Sequence, residues 1–244
     1  MSEGSNSVPK TAMVLAAGLG TRMRPLTDAT PKPLIDVDGK ALMDYALDRF
    51  ARAGVERAVV NVHYLADKVE RHVEGRPAPE IVISDERDLI LETGGGLKKA
   101  RGLLGDEPVY CTNTDAIMID GGGTEACALL ANEWNDAAMD ALLLLVPIDR
   151  TSGYDGSGDF DRSEDGQISL RAGETAPYVF TGLQIIAPSL IDEGPEGPFS
   201  TRVLWDKAAE RGRLFGAVYG GEWLHVGDAA GLAAAEARLA GPFL

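Results

Sequence analysis

Short apolar runs alternate with helical patterns along the first 147 residues, and this alternation most constrains what the chain can fold into. Strands are predicted at 11–16, 57–62, 80–84, 108–112 and 141–147, and helices between them at 41–53, 65–73, 96–104 and 125–135. A strand buried on both faces is apolar throughout, and strands that alternate with helices form a mostly parallel sheet. The sequence therefore predicts an α/β fold, with a Rossmann-like mixed but mostly parallel sheet and helices on both of its faces.

The pattern becomes less regular after Pro147. Glycines and acidic residues interrupt short alternating runs between residues 149 and 165, which predicts a hairpin. A further strand is predicted at 178–186, and helices at 202–211 and 228–239. We expect a flexible tail over residues 1–9 and a single domain over 10–244, whose second half forms a smaller hairpin and lid region.

The charge balance restricts the possible partners. Acidic residues outnumber basic ones by 38 to 23, so the net charge is −15 at pH 7. Nucleic acids and anionic membranes both require a basic face, and neither is expected as a partner. The longest apolar run, 141–147, is far short of the ~20 residues that span a bilayer. The start has no signal-peptide pattern, and Cys111 and Cys127 have no metal-like spacing, so we expect a cytoplasmic protein.

Residues 14–34, VLAAGLGTRMRPLTDATPKPL, combine a glycine-rich turn with well-spaced cations. The glycines after the first strand let backbone N–H groups approach a phosphate or a base closely. The turn is neither G-x-G-x-x-G nor G-x-x-x-x-G-K-[ST], so the dinucleotide and P-loop readings fail. Arg22 follows the turn, and Lys32 stands between two prolines that stiffen its backbone. We interpret the two cations as a cradle for phosphates rather than as solvated surface charges.

The same segment resembles the G-x-G-T-R-x-x-P-x-T…K-P signature of sugar-1-phosphate nucleotidylyltransferases. The resemblance continues through the runs Glu-Thr-Gly-Gly-Gly at 92–96, Asn-Thr-Asp at 113–115 and Trp-Leu-His-Val-Gly at 223–227. The Leu-Glu-Thr-Gly-Gly-Gly form is most similar to bacterial N-acetylmuramate-1-phosphate uridylyltransferases, which act in peptidoglycan recycling. Mannose- and heptose-1-phosphate guanylyltransferases are similar but less so.

The resemblance implies the nucleotide-diphospho-sugar transferase fold and a transferase activity. A nucleotidyl group would pass from a nucleoside triphosphate, with UTP favoured, to a sugar 1-phosphate, with N-acetylmuramate 1-phosphate favoured. Pyrophosphate would leave. Residues 10–147 would bind the nucleotide and 148–244 the sugar, in a monomer or a homodimer. A guanylyltransferase and a catalytically inactive nucleotide-sensing homologue remain alternatives.

The resemblance also implies a catalytic set of Arg22, Lys32 and Asp115. Arg22 would hold the triphosphate and the leaving pyrophosphate, and Lys32 the α-phosphate or the incoming phosphate. Asp115 follows the strand predicted at 108–112 and would ligate Mg²⁺, which prefers carboxylate oxygens. Family members have an aspartate where this chain has His225, so His225 and Asp228 both stand as candidates for the second metal position. We expect His225 to hold a metal-bound water or a phosphate oxygen.

Two segments are expected to bind the nucleotide. Uracil offers an N–H donor between two carbonyl acceptors, so its site needs an acceptor flanked by donors. Glu86 or a backbone carbonyl near it is the candidate acceptor, and the Gly18 and Gly94 N–H groups are candidate donors. Glu92 is either another acceptor or the cap of the helix predicted at 96. The full set is Leu15, Ala16, Ala17, Gly18, Gly20, Thr21, Glu86, Glu92, Thr93, Gly94 and Asn113.

The sugar phosphate is expected to contact the second half of the chain. Gly156, Gly158 and Gly182 would allow a close approach of the backbone, and the Thr181 hydroxyl would donate a hydrogen bond. Many family members carry a lysine after the hairpin that meets the sugar phosphate. This chain lacks that lysine, and Arg171 is the candidate substitute.

Overall fold

The computed structural model describes residues 8–120 and 123–241, so most of the tail expected at 1–9 lies outside the described residues. Its strands are β1 (Thr11–Leu15), β2 (Asp36–Val37), β3 (Lys40–Ala41), β4 (Arg57–Val62), β5 (Glu80–Asp85), β6 (Val109–Asn113), β7 (Ala116–Ile119), β8 (Ala141–Pro147), β9 (Thr151–Ser152), β10 (Phe160–Arg162), β11 (Ile168–Leu170), β12 (Tyr178–Ile186), β13 (Leu214–Val218) and β14 (Glu222–His225). Its α-helices are α1 (Leu42–Arg52), α2 (Ala66–Val73), α3 (Glu92–Leu104), α4 (Ala126–Glu133), α5 (Pro188–Asp192), α6 (Arg202–Glu210) and α7 (Ala229–Leu239).

The central sheet has the strand order β13-β8-β12-β6-β1-β4-β5. Strands β1, β4, β5 and β6 are mutually parallel, and β12 runs antiparallel to both β6 and β8. Six strands therefore share one direction and β12 opposes them, which confirms the predicted mixed, mostly parallel sheet. The hairpin β10–β11 extends from the beginning of β12.

Helices cover both faces of the sheet. On one face Leu47 and Phe50 of α1 and Leu130 of α4 belong to a core cluster with β1, β4 and β8. On the other face Leu97 of α3 and Leu204 of α6 lie in a second cluster with the opposite side chains of the same strands. Burying one such side chain contributes about 1.5–3 kcal/mol, so helices on both faces stabilise the sheet. No helix among the described residues is both long and apolar enough to cross a membrane.

Helix α3 begins at Glu92, one turn before the predicted start at 96. Glycine has a low helix propensity, so the run Gly-Gly-Gly at 94–96 gives little signal that the helix extends before residue 96. A Cβ on Gly94 would collide with the Phe199 ring, and one on Gly95 would lie 2.5 Å from the Gly197 carbonyl oxygen. The glycines thus serve close packing of the helix rather than a turn.

The hairpin expected between 149 and 165 lies later, at β10 and β11. Residues 153–159 form a loop that is held to β12 by a hydrogen bond from Asp159 N–H to the Tyr178 carbonyl, 2.7 Å. A small sheet of order β7-β14-β9 was not predicted, because its strands are two to four residues long. This small sheet pairs β14 with β7, the strand that follows β6 in the chain.

Candidate active site

A cleft of about 440 Å³ opens where β1, β4 and β6 end. Ligands bind outside the carboxyl ends of the strands in sheets of this kind. We call it the strand-end cleft. Most of the residues predicted to bind nucleotide or to act in catalysis line it. Its lining is Leu15, Ala16, Ala17, Gly18, Leu19, Gly20, Thr21, Arg22, Lys32, Pro33, Asn61, Ile90, Glu92, Thr93, Asn113, Thr114, Asp115 and Gly227.

The glycine-rich loop folds back against the segment that carries Lys32. Gly20 has a φ of 63°, and a Cβ there would lie 3.0 Å from both Lys32 Cβ and Thr27 Cγ2. Its carbonyl accepts a hydrogen bond from the Thr27 hydroxyl, 2.9 Å. At Gly18, by contrast, no atom of the described residues lies within 4 Å of the position of a Cβ. The loop therefore leaves open space at Gly18 while Gly20 holds it close to the lysine.

Lys32 and Asp115 form an ion pair inside the strand-end cleft. Lys32 Nζ donates to Asp115 Oδ2 at 3.0 Å, and the two side chains are 11% and 25% exposed. Burial alone would raise the pKa of Asp115, but the neighbouring His225 imidazole and Lys32 ammonium outweigh it and hold that pKa well below its ordinary value. The carboxylate therefore stays ionised at neutral pH.

His225 sits beside this pair at the end of β14. Its ring stacks on Trp223 with 5.2 Å between centroids and 10° between planes. Nδ1 lies 3.3 Å from the Gly153 carbonyl oxygen, to which it can donate a hydrogen bond. Nε2 lies 3.9 Å from Asp115 Oδ2, on the side of the ring that lowers the pKa of Asp115. The imidazole edge is thus aimed at the carboxylate.

Asp228 is engaged differently from His225. Its Oδ1 accepts a hydrogen bond from Gly231 N–H at 2.9 Å and caps the N-terminus of α7. This backbone hydrogen bond lowers the pKa of the Asp228 carboxyl. Of the two candidates for the second metal position, the structure therefore brings His225 to Asp115 and uses Asp228 as a helix cap. Among the described residues, no three side chains of the types His, Cys, Asp and Glu converge as a metal site.

Glu86 and the Gly94 N–H do not reach the strand-end cleft, contrary to expectation. The Glu86 side chain is fully buried and its Oε1 accepts from Asn61 Nδ2 at 2.9 Å. Burial raises the pKa of this carboxyl. The Gly94 N–H donates to the Phe199 carbonyl at 2.8 Å, so it is not available to a base. Glu86 lies beneath the cleft. The prediction that the Glu86 side chain and the Gly94 N–H contact the base is therefore wrong, because both groups form hydrogen bonds within the fold.

Asn61 is a cleft residue that the sequence reasoning missed. Its Oδ1 accepts from the Ala16 N–H at 2.7 Å, where the glycine-rich loop leaves β1. The available signal was an amide in the otherwise apolar run AVVNV of β4. Glu92, the first residue of α3, has a φ of 59° and lines the cleft. Position 91 precedes the helix as its N-cap, so Glu92 is not the cap residue.

Thr181 and Arg171 are used within the fold. The Thr181 hydroxyl donates to the Leu144 carbonyl at 3.0 Å, and the residue is 1% exposed. Its hydroxyl is therefore turned into the interface between β12 and β8 and not toward a ligand. Arg171 Nη1 donates to the Glu174 carbonyl at 2.8 Å on an exposed loop.

The three glycines of the second half differ in their surroundings. Gly182 has a φ of 91° and a Cβ there would lie 3.2 Å from Asn113 Cβ, next to the strand-end cleft. A Cβ on Gly158 would collide with the Ala176 carbonyl, and one on Gly156 with the Tyr154 ring. Among the three, Gly182 is the one whose neighbour Asn113 belongs to the cleft lining.

Comparisons with known proteins show which family and fold the chain resembles. The family model described as "Nucleotidyl transferase" matches residues 11–168. An N-acetylmuramate alpha-1-phosphate uridylyltransferase of Caulobacter vibrioides is 50% identical, covering 96% of this chain and 99% of its own. The protein of the same name from Neisseria meningitidis is 33% identical, with 93% and 96% covered. The solved inositol-1-phosphate CTP transferase of T. maritima shares the fold, with a TM-score of 0.75, 18% identity and 92% of each chain covered.

Proposed function

The chain belongs to the nucleotidyl transferase family, and we propose that it transfers a uridylyl group from UTP to N-acetylmuramate 1-phosphate, with release of pyrophosphate. The names of its relatives at 50% and 33% identity support this choice of nucleotide and sugar. The observation that carries the proposal is that the Lys32–Asp115 pair and the glycine-rich loop line one cleft. This reaction needs a loop for the nucleotide, a cation for the phosphates and a carboxylate for a metal ion, and these three lie together here.

The chemistry requires no general base. The second pKa of a phosphate monoester is about 6, so the sugar phosphate is already an anion at neutral pH. Its oxygen attacks the α-phosphorus of the triphosphate, a new P–O bond forms, the bond to the β-phosphate breaks, and pyrophosphate leaves. The chain's task is to align two polyanions and to stabilise the charge on the phosphoryl group.

We assign this task to the cations of the cleft. Lys32, which pairs with Asp115 in this structure, donates to the α-phosphate or the incoming phosphate when substrates are bound. Arg22, on the short 3-10 turn after Gly20, holds the triphosphate and the leaving pyrophosphate. The open space at Gly18 lets the base and ribose lie against the backbone of the loop. Glu92 lines the cleft whereas Glu86 does not, so Glu92 takes the role of acceptor for the uracil N–H.

Members of this family use a divalent metal ion, and we propose Mg²⁺ with Asp115 as its protein carboxylate. Asp115 is ionised and faces the cleft, and among the described residues it belongs to no cluster of three or more His, Cys, Asp or Glu side chains. One carboxylate with substrate phosphates and water is a normal set of ligands for Mg²⁺, so the residues fit the ion. When bound, the ion neutralises phosphate charge. Imidazole nitrogen is a poor Mg²⁺ ligand, and His225 therefore contacts a bound water or a phosphate oxygen.

The two halves of the chain would then bind different substrates. Residues 10–147 hold the nucleotide, because β1, β4, β6 and the loop after β1 supply most of the cleft. Residues 148–244 hold the sugar, with Gly182 beside the cleft and His225 over Asp115.

A matrix of substrates tests the proposal. UTP, GTP, CTP, ATP and dTTP are each combined with the 1-phosphates of N-acetylmuramate, N-acetylglucosamine, mannose and glucose, with Mg²⁺ present. Pyrophosphate release gives kcat/KM, and mass spectrometry identifies the nucleotide sugar. We expect the highest kcat/KM for UTP with N-acetylmuramate 1-phosphate. A higher value for GTP with mannose 1-phosphate would make the chain a guanylyltransferase, and nucleotide binding without turnover would make it a sensor.

A further inference from the structure

One buried amide joins the ends of three neighbouring strands beneath the strand-end cleft. The ladder between β1 and β4 ends with the pair Leu15 and Asn61. The next N–H of β1, that of Ala16, donates to Asn61 Oδ1 instead of to a backbone carbonyl. Asn61 Nδ2 donates to Oε1 of Glu86, the residue after β5. The side chain of Asn61 thus stops the ladder at the point where the glycine-rich loop turns into the cleft.

Glu86 is fastened in a single position. Its N–H donates to the Val62 carbonyl at 2.8 Å, and its carbonyl lies 2.6 Å from His63 Nδ1. The residue is fully buried, and Asn61 is 2% exposed. Glu86 Oε2 is also buried, and the N–H of Leu91, which precedes α3, lowers the pKa of this carboxyl against the effect of burial. The side chain of Glu86 is therefore held between Asn61 of β4 and the start of α3.

Helix α3 packs closely against the side chains of Asn61 and Glu86. A Cβ on Gly96 would lie 2.8 Å from Asn61 Nδ2 and 3.0 Å from Glu86 Oε1. The helix can approach this closely because position 96 is glycine. Its first residues, Glu92 and Thr93, line one wall of the strand-end cleft, and the glycine-rich loop lines another. Asn61 and Glu86 therefore contact the backbone that carries both walls, at Ala16 on one side and at Gly96 on the other.

We propose that Asn61 and Glu86 are a positioning pair that sets the separation of the two cleft walls, and with it the fit and selection of the nucleobase. The inference rests on the proposed function of the cleft as the nucleotide site. Neither residue takes part in the transfer step. Loosening the pair raises KM for the nucleotide and weakens discrimination between bases, whereas kcat and KM for the sugar phosphate change little.

Exchanging the donor and the acceptor of the hydrogen bond between residues 61 and 86 tests the pair without changing the size of either side chain. Asn61→Asp keeps an acceptor for the Ala16 N–H but removes the donor to Glu86 and sets two carboxyls against each other. Glu86→Gln keeps an acceptor for Asn61. In the double variant Asn61→Asp/Glu86→Gln, the new amide at 86 donates to the new carboxylate at 61, so the same link is made in the opposite direction.

Steady-state kinetics with UTP and GTP, together with UTP binding by calorimetry, provide the readouts. A lost buried hydrogen bond corresponds to about a tenfold or larger rise in KM for UTP in Asn61→Asp, with a smaller UTP-to-GTP ratio of kcat/KM. Glu86→Gln and the double variant should stay within about threefold of the wild type. Gln184→Glu is the matched control, because this buried amide on β12 accepts from Nε1 of Trp205 on α6 and lies outside the cleft lining. It should leave KM for UTP unchanged.

Four results separate the possibilities. A double variant as impaired as Asn61→Asp, or an Asn61→Asp enzyme with lower Tm but unchanged KM and base preference, would refute the positioning role. If these variants do not fold, Gly96→Ala decides, because it presses on the pair from α3 without altering either hydrogen-bonding group. It should raise KM for UTP, and an unchanged KM would also refute the inference. Wild-type protein that neither binds nor uses UTP would instead overturn the proposed function.

Discussion

Replacing Lys32 by alanine removes the ammonium that lies 3.0 Å from Asp115 Oδ2 in the strand-end cleft. Two effects should follow, one on turnover and one on stability. Loss of one preorganised charge-stabilising donor lowers kcat by ~10²–10³, which corresponds to about 2.7–4 kcal/mol. Lys32→Arg should recover part of this loss, since it restores the charge but not the position of the ammonium.

The effect on stability is smaller and can be judged from the burial of the pair. At 3.0 Å and an effective dielectric constant of about 20, the gross attraction is about 5 kcal/mol, most of which desolvation offsets. A hydrogen bond between charged groups contributes about 1.5–3 kcal/mol net. For a chain of this length we therefore expect Tm to fall by about 3–12 °C, with the fold retained.

Pyrophosphate release under saturating substrates gives kcat, and scanning calorimetry gives Tm. The matched control is Lys10→Ala, which removes a lysine of 61% side-chain exposure, paired with Glu56, just before β1 and therefore at the opposite edge of the sheet. It should leave kcat unchanged. A Lys32→Ala enzyme with near wild-type kcat and a lowered Tm would show that the lysine serves only the fold, and the phosphate-cradle argument would then be wrong.

Four further outcomes follow from the geometry. Asp115→Ala should nearly abolish turnover, and His225→Ala should reduce it moderately. His225→Asp should be tolerated because it supplies an oxygen ligand. Titration of activity with Mg²⁺ checks all three variants. Asp228→Ala removes the cap of α7 and should lower the midpoint of urea unfolding slightly, with little change in kcat. Gly95→Ala should destabilise by about 1–3 kcal/mol in the same assay, because its Cβ meets the backbone of Gly197. The lowered pKa of Asp115 means that its stabilising contribution is complete above the ordinary value of 3.8 and is lost only as the pH falls through the lower folded-state pKa, so Asp115→Asn should flatten the loss of stability below pH 3.8.

Much of the sheet could be predicted because its strands carry their own signal. Ala141–Pro147 and Arg57–Val62 are apolar runs whose predicted bounds match β8 and β4. The start of α3 could not be predicted in this way. The pattern predicted a start at 96, whereas contacts with Phe199, about a hundred residues later, hold Gly94 and Gly95 in the helix despite a propensity cost of about 1 kcal/mol per glycine.

The same division holds for the candidate site. Arg22, Lys32 and Asp115 could be found because they stand at fixed spacing beside a glycine-rich turn or a strand end, and all three line the strand-end cleft. The position of Glu86 could not be predicted from the sequence, because its burial depends on the direction in which its side chain turns between β4 and α3. Asn61 was missed for a related reason, since its role needs the register of β1 against β4.

The central place of β1 has a consequence for synthesis on the ribosome. Ala12 pairs with Ala58 on one side and with Tyr110 on the other. At about 5–20 residues per second, the second partner is made roughly 5–20 s after β1. During that interval the apolar run AMVL has one edge without its final neighbour, which is the condition for unwanted strand pairing. Slower growth at low temperature lengthens this interval, so the yield of soluble chain should depend on chaperones that shield the nascent N-terminal segment.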